Sequence, residues 1–457
     1  GGARVGWGGG AGGGHAVARR VERRQQGVAL VVVMTVIAIL TIYLTEMLQT
    51  NATAFHVAVS QRDKVKAEYL AKSGLNLTRL LIAREPEIRK VVAPMYRMLV
   101  GRPPPQLNVW DFADTLLAPF VSPSQAQALN TGIDFGQMEG LTETGGEIEV
   151  IAVPENSKIN VSNALFLSGD RAKLSLALQL FALTGGGQLE SPYDAMFEQP
   201  DADGQFSTRL DIVSAIIDWW DFDEQRTVFD PGAGTVASAG SEDDIYTQFK
   251  DPYLVKNAPF DSLQELRMVR GVGDDFWANF VEEDPMDPRT RHVTIYGSGA
   301  VNPNQAPPMV TLARVCSFVP EQPLCQDPTQ QAAFIQLFQT ARFIVPVSVF
   351  TRPQDFVDFV QGKGDGKSPY GMLVGMLGPE NPLMLWQPLV IPQDRLKDVT
   401  RSFITEAAIF TVQVTGRVGR AEVRLSSVVN FHRRWTPPPP NPGKMPVLGI
   451  LHHYRVD

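Results

Sequence analysis

Cysteine is nearly absent, with two in 457 residues. That excludes a disulfide-rich scaffold and a cysteine-based zinc ribbon. Histidine is scarce too: the six residues are mostly scattered and leave little material for a histidine-rich metal enzyme. A basic surplus is missing, since 41 Lys and Arg stand against 49 Asp and Glu, for a net charge of −8. A general nucleic-acid binder carries the opposite balance. No His-Glu-x-x-His, Gly-x-Ser-x-Gly or Walker loop occurs, which removes the usual signatures of metalloproteases, serine hydrolases and P-loop motors. What the chain does have is 44% apolar and 20% charged residues, enough for real cores in about two or three domains.

The charge is unevenly spread. Residues 1–27 hold Arg4, Arg19, Arg20, Arg23 and Arg24 against Glu22, a net +4, which leaves −12 on the rest. Residues 1–14 are mostly glycine and cannot form a core. From Val28 to Leu44 run 17 residues without charge, interrupted only by Thr35 and Thr41. As a helix this run spans about 25 Å, close to one bilayer crossing. Arginines before it and no basic cluster after it put the N-terminus in the cytoplasm and the body outside. Three readings stay open here: a secretory signal peptide using the Ala52-x-Ala54 pattern, a plain single-pass anchor, or cleavage after Gly27 that makes the apolar run the mature N-terminus. Beyond it, Val65, Tyr69, Leu70, Leu77, Leu80 and Leu81 mark one helical face. The pattern predicts one helix from Val28 to about Ala83, stopped by Pro86.

The body mixes signals. Residues 102–124 read as a Pro-rich connection. Glu147–Val153 alternates as a strand and leads into a turn over 154–163. Residues 166–290 read as mostly helical, with a helix face at Leu210, Ile212, Val213, Ile216, Ile217 and Trp220, then a Gly/Ser/Ala-rich loop over 231–240. Two strands are expected at 403–415 and 421–431, joined by a hairpin at 416–420. An extended link follows at Pro437–Pro440, and a last strand over 444–454.

Several clusters invite chemistry. Asp218, Asp221, Asp223 and Glu224 lie close in sequence, with Glu242, Asp243 and Asp244 across a loop. Calcium takes six to eight oxygen ligands, often loop carboxylates, and five acids gathered without a cation would repel one another. The plain alternative is a solvated acidic loop. The spacing is not that of an EF-hand. Residues 266–276 resemble a helix–hairpin–helix, but Asp274 and Asp275 follow the turn and repel phosphate, which favours scaffold use. Gly362–Lys367, with one acid and two lysines, reads as a flexible turn, and His452-His453 as an exposed pair in a terminal strand. Cys316 and Cys325 have eight residues between them; a structural disulfide and two free thiols are equally open.

Taken together, the basic leader, Gly27, the apolar helix and Ala67-Glu-Tyr-Leu-Ala-Lys-Ser-Gly-Leu75 resemble a type IV pilin-like N-terminus. More closely, the chain resembles the K minor pseudopilin family of bacterial type II secretion. The carriers are Asp218-Trp-Trp-Asp-Phe-Asp223, Ser241-Glu-Asp-Asp-Ile-Tyr246, Asn257-Ala-Pro-Phe-Asp-Ser-Leu-Gln-Glu-Leu266 and Val269-Arg-Gly-Val272. Ser241 and Ile245 depart from the family pattern. Weaker carriers are 154–163 and 294–307. Most pilins have Glu at the fifth mature position, and here that position is Val32. An acid inside the bilayer needs a partner, and a subunit with nothing above it needs no such acid.

The resemblance implies an α+β, pilin-like fold: a long N-terminal helix on an antiparallel sheet, with a large, mainly helical insertion containing the helix–hairpin–helix-like motif. The implied division is a cleaved leader (1–27), the helix (28–85), a first pilin-like part (86–165), the insertion (166–395) and C-terminal strands (396–457). It implies prepilin peptidase cleavage between Gly27 and Val28 and N-methylation of Val28. It also implies structural calcium, with Asp218, Asp221, Asp223, Glu242 and Asp243 as ligands. The implied role is non-enzymatic: a pseudopilus tip subunit anchored in the inner membrane, with the body in the periplasm. Its partners would be the minor pseudopilins I and J, prepilin peptidase, the inner-membrane assembly platform and membrane lipid, with no nucleic acid. The competing readings are a membrane-tethered metal-dependent hydrolase and a DNA-uptake minor pilin.

Overall fold

The computed structural model describes residues 14–113, 115, 146–162, 169–188, 190–200, 206–249, 251–344, 348–366, 368–432 and 448–457; side chains are described from residue 27, except at 99 and 100. Residues 1–13, 116–124 of the Pro-rich connection and the run Pro437–Pro440 lie outside that set. The chain divides into two units, Gly1–Lys66 with Gly419–Ala421, and Ala67–Val418 with Glu422–Asp457.

Helix α1 (Gly14–Val100) begins in the first unit. Every large apolar side chain from Val28 to Leu48 is exposed, and the helix is long and apolar enough to cross a membrane. It fits a single membrane anchor. Four of its hydroxyls are satisfied within the helix: those of Thr35, Thr41, Thr45 and Thr53 donate to carbonyls four residues back, at 2.5–2.8 Å. Hydrocarbon offers no other acceptor.

In the second unit the remaining helices of two turns or more are α2 (Asp170–Leu183), α3 (Arg209–Trp220), α4 (Pro308–Cys316), α5 (Pro328–Ile344), α6 (Pro353–Val360), α7 (Pro369–Leu377) and α8 (Gln393–Arg401). The strands are β1 (Glu147–Pro154), β2 (Ile159–Asn160), β3 (Gln225–Asp230), β4 (Thr235–Ser241), β5 (Val293–Thr294), β6 (Ile409–Val418), β7 (Ala421–Asn430) and β8 (Ile450–Val456). The order β1-β6-β7-β8 forms the main sheet. β1 runs antiparallel to β6 from Glu147↔Arg417 to Pro154↔Phe410, and β8 is antiparallel to β7 with a shift between Val428 and Val429. β6 and β7 are joined by Gly419 and Arg420, with Gly419 at φ +59° as a tight hairpin demands. The fold is α+β and pilin-like: from Ala67 on, α1 packs against this antiparallel sheet.

The helix face that packs only partly matches the one the apolar spacing marked: Leu70 is buried, and Leu77 and Leu81 pack against the sheet core. Val65 and Tyr69 are exposed, whereas Ala67, Leu70, Ala71, Gly74, Leu75, Thr78 and Ile82 are buried. Small residues decide it, because the backbones approach closely. A Cβ on Gly74 would lie 2.8 Å from Val414 Cγ1, and one on Gly416 would lie 2.3 Å from the Ala67 carbonyl oxygen. Tyr69 has no room on that face.

The helix also does not stop at Pro86 but continues through Pro86 and Pro94 to Val100. A ring inside a helix loses one hydrogen bond and costs about 3 kcal/mol. Tertiary anchoring just before Pro86 helps to offset that cost. Ile82 is buried in the sheet core, and buried Glu85 accepts the Leu107 backbone N–H at 2.8 Å and lies 3.3 Å from Arg89 Nε.

Among the described residues three larger cores sit in this unit, with a small fourth cluster of Ala67, Leu70, Val418 and Val423. One lies between α1 and the sheet, around Leu75, Trp110, Phe410 and Val414. The insertion contributes two. The first gathers Leu180, Val213, Ile216, Trp219, Tyr246, Leu266 and Phe280. The second gathers Phe334, Phe338, Phe350, Phe356, Trp386, Val399 and Phe403. The first C-terminal strand starts at Ile409 rather than 403, because Phe403 buries with Phe356 at 4.7 Å between ring centroids. The segment from 221 to 290 is less helical than its composition suggests. It holds the β3–β4 hairpin, with β4 inside the Gly/Ser/Ala-rich stretch, and a series of short 3₁₀ and π turns.

Candidate functional site

Helix α3 positions the acidic cluster. It starts on a reciprocal cap: Thr208 Oγ1 accepts the Asp211 N–H, and Asp211 Oδ2 accepts the Thr208 N–H. Its apolar face, Ile212, Val213, Ile216 and Ile217, is buried in the first insertion core. That fixes the rotation of the helix, so Asp218 and Asp221, three residues apart, emerge on one side at its C-terminal end. Strand β4 delivers Glu242 to the same place.

Asp218, Asp221 and Glu242 each offer a carboxylate oxygen within 4.8 Å of the others, and all three are buried. Asp218 Oδ1 accepts the Thr227 N–H at 2.8 Å. Both oxygens of Glu242 lack a hydrogen-bond partner. Burial pushes Asp218 up to about 7 and Asp221 up to about 6; it pushes Glu242 up to about 8, helped by repulsion from Asp218, Asp221 and Asp223. Among the described residues the cation at hand is Lys173 of α2, whose Nζ lies 2.6 Å from Asp221 Oδ2 and 2.7 Å from Asp223 Oδ2. Burial works to lower the pKa of Lys173, but the two carboxylates outweigh it and hold it above the usual value.

Of the five expected ligands, the structure brings three together. Asp223 sits at the rim, half exposed, turned to Lys173. Asp243 is outside the trio and braces the chain instead, its Oδ1 accepting the Val255 N–H at 2.9 Å. Lys173 was missed by sequence reasoning. Its only signal was one charged residue in the otherwise uncharged run Ala172–Leu178. Buried, oxygen-only donors with orphaned lone pairs fit a hard cation such as calcium. A buried carboxylate without partner or cation is otherwise costly.

The other singled-out residues fall elsewhere. Val28 is exposed, and nothing lies within 4 Å of where a Cβ on Gly27 would be. In the hairpin-like motif, Gly271 has φ +81°, and its missing Cβ would meet Ile212 Cγ1 at 2.5 Å. The turn is thus docked on α3. Its basic residues are engaged inside the chain: Arg267 lies 4.3 Å over the Trp277 ring and pairs with Asp274, and Arg270 donates to the Phe206 carbonyl. Cys316 and Cys325 are joined in a disulfide that bridges α4 to the turn at 323–326. Both His452 and His453 lie on exposed β8. Gly362–Gly366 forms a turn ahead of α7, and Lys367 lies outside the described residues.

Residues 205–280 match the family described as type II secretion system (T2SS), protein K. That span holds every acid of the cluster and the hairpin-like motif, so the resemblance to the K family is sound over this segment. A chain of the crystal structure of the GspK-GspI-GspJ complex from enterotoxigenic Escherichia coli is 13% identical. The match covers 76% of this chain and 95% of that one at a TM-score of 0.35, and a likeness that distant carries no argument. No curated protein matches the chain.

Proposed function

We propose that this chain is a minor pseudopilin of type II secretion, held in the inner membrane by α1 before assembly and placed at the tip of the pseudopilus. The observation that carries the reading is the protein K match over 205–280 in a chain whose first helix is free and apolar in one half and packed on an antiparallel sheet in the other. Prepilin peptidase would cut between Gly27 and Val28 and methylate Val28. Val32 stands where most pilins keep an acid, which suits a subunit that receives nothing above it. The bulk of the insertion, two cores between β1 and β6, suits a cap. The partners by this reading are the minor pseudopilins I and J and the inner-membrane assembly platform.

In this reading calcium is structural. Asp218, Asp221 and Glu242 would hold it, tying the end of α3 to the end of β4. When bound it supplies charge neutralisation. A hydrolase needs a metal-bound water open to substrate, whereas these three side chains are 4%, 4% and 2% exposed.

The test is the mature N-terminus, read by intact mass and N-terminal peptide mapping of protein from its native membrane. The expected result is N-methylated Val28, with a Gly27→Ala chain that stays uncut. The open space at Gly27 and the high helix propensity of alanine mean that an uncut variant cannot be blamed on misfolding. A Gly27→Ala chain cut normally at Val28 would falsify pilin-type processing.

A further inference from the structure

The acidic trio already has a cation beside it. Lys173 lies within α2, where every residue from Ala172 to Ala177 is buried, and its side chain is 8% exposed. A lysine is almost never buried this deeply unless paired. Here its ammonium spans Asp221 at 2.6 Å and Asp223 at 2.7 Å. No hydrogen bond satisfies either oxygen of Glu242. Asp221 is thus claimed twice, by the ammonium and by any metal that uses Glu242 and Asp218. Resting on the calcium reading above, we propose that Lys173 is a resident counter-cation. It holds Asp221 and Asp223 in the metal-free protein, and a divalent cation must displace it from Asp221 to enter the cluster.

Two consequences follow from the charges. The lysine stabilises the metal-free fold by neutralising part of a buried negative cluster. It also weakens the site, since an ammonium and a divalent ion a few ångströms apart repel strongly even at an effective dielectric of about 20. Lys173 would therefore set the calcium concentration at which α2 is released from the 221–224 loop and α3 is fastened to β4.

The experiment uses the full chain in detergent, with calcium itself as the probe in isothermal titration. Lys173→Met should tighten calcium binding by about tenfold or more, while its metal-free melting temperature falls. Equal or weaker binding by Lys173→Met overturns the proposal and leaves the calcium site standing. If neither protein binds calcium, the calcium reading fails and this inference with it. Should Lys173→Met not fold without metal, the wild-type chain still gives the answer through amine acylation read by peptide mass spectrometry. Calcium should speed labelling of Lys173 severalfold and leave Lys256, paired with Asp261 and Glu265, unchanged. Labelling of Lys173 that does not move across a saturating calcium titration overturns the proposal.

Discussion

Three carboxyls held at about 7, 6 and 8 make Asp218, Asp221 and Glu242 a source of pH dependence. Their ordinary values lie near about 4, so between about pH 4 and pH 8 the metal-free folded chain holds more protons than the unfolded one. Stability must then fall as pH rises through that window. Calcium takes the ionised carboxylates, so saturating metal should flatten or reverse the slope. Melting curves from pH 5 to 8.5, in chelator and in calcium, check this; a chelated protein that gains stability toward pH 8 would contradict it. Glu155 has the opposite logic. It is buried, and although burial acts to raise its pKa, Lys158 at 2.6 Å and the Thr411 and Thr294 hydroxyls hold it below the usual range. Glu155→Ala strands the Lys158 ammonium and should cost about 3–5 kcal/mol, read as a lower denaturant midpoint. At this scale the acids were legible because Asp218 and Asp221 crowd within a few residues of one another and Glu242 stands in a second acidic run across a loop. Lys173 was not, since its partners lie some 50 residues away and only packing of α2 on α3 brings them together.

Elements show a different balance. The apolar run, β1 and the β6–β7 pair were legible from charge gaps and alternation. The packing face of α1 was legible only in part, at Leu70, Leu77 and Leu81, because apolar periodicity counts hydrophobicity, while a helix lying close on a sheet also selects for small side chains. Gly74→Leu tests this: its side chain would be driven into Val414 and Ile148, already within 2.9 Å of a bare Cβ. A loss of about 1–3 kcal/mol is expected, against almost none for Tyr69→Leu on the exposed face, both read by chemical denaturation. The passage of α1 through Pro86 was equally hidden, since the Glu85–Leu107 bond that braces it is tertiary. Strand β4 escaped because Thr235–Ser241 is nearly all exposed: backbone pairing to β3 makes it a strand, not burial.

For the molecule as a whole, the two insertion cores should respond to different chemistry. The acidic cluster borders the first, and the Cys316–Cys325 bridge lies in the second. Removal of calcium should therefore raise hydrogen exchange in 209–246 and leave 334–360 protected, whereas reduction of the disulfide should do the reverse. Exchange that rises equally in both segments under chelator would mean that the cores open as one.

The main sheet carries a further consequence for how the chain is made. β1 must find β6, and Glu155 must find Thr411, 256 residues later. Until a ribosome has passed residue 418, the stripe Ala67–Ala71–Gly74 has only β1 to close upon, through Ile148. The anchor would therefore be in place, and both insertion cores free to form, while the part that joins them to the helix is still waiting for its last strands. Such long-range pairing is slow, and in that interval the chain carries exposed strand edges.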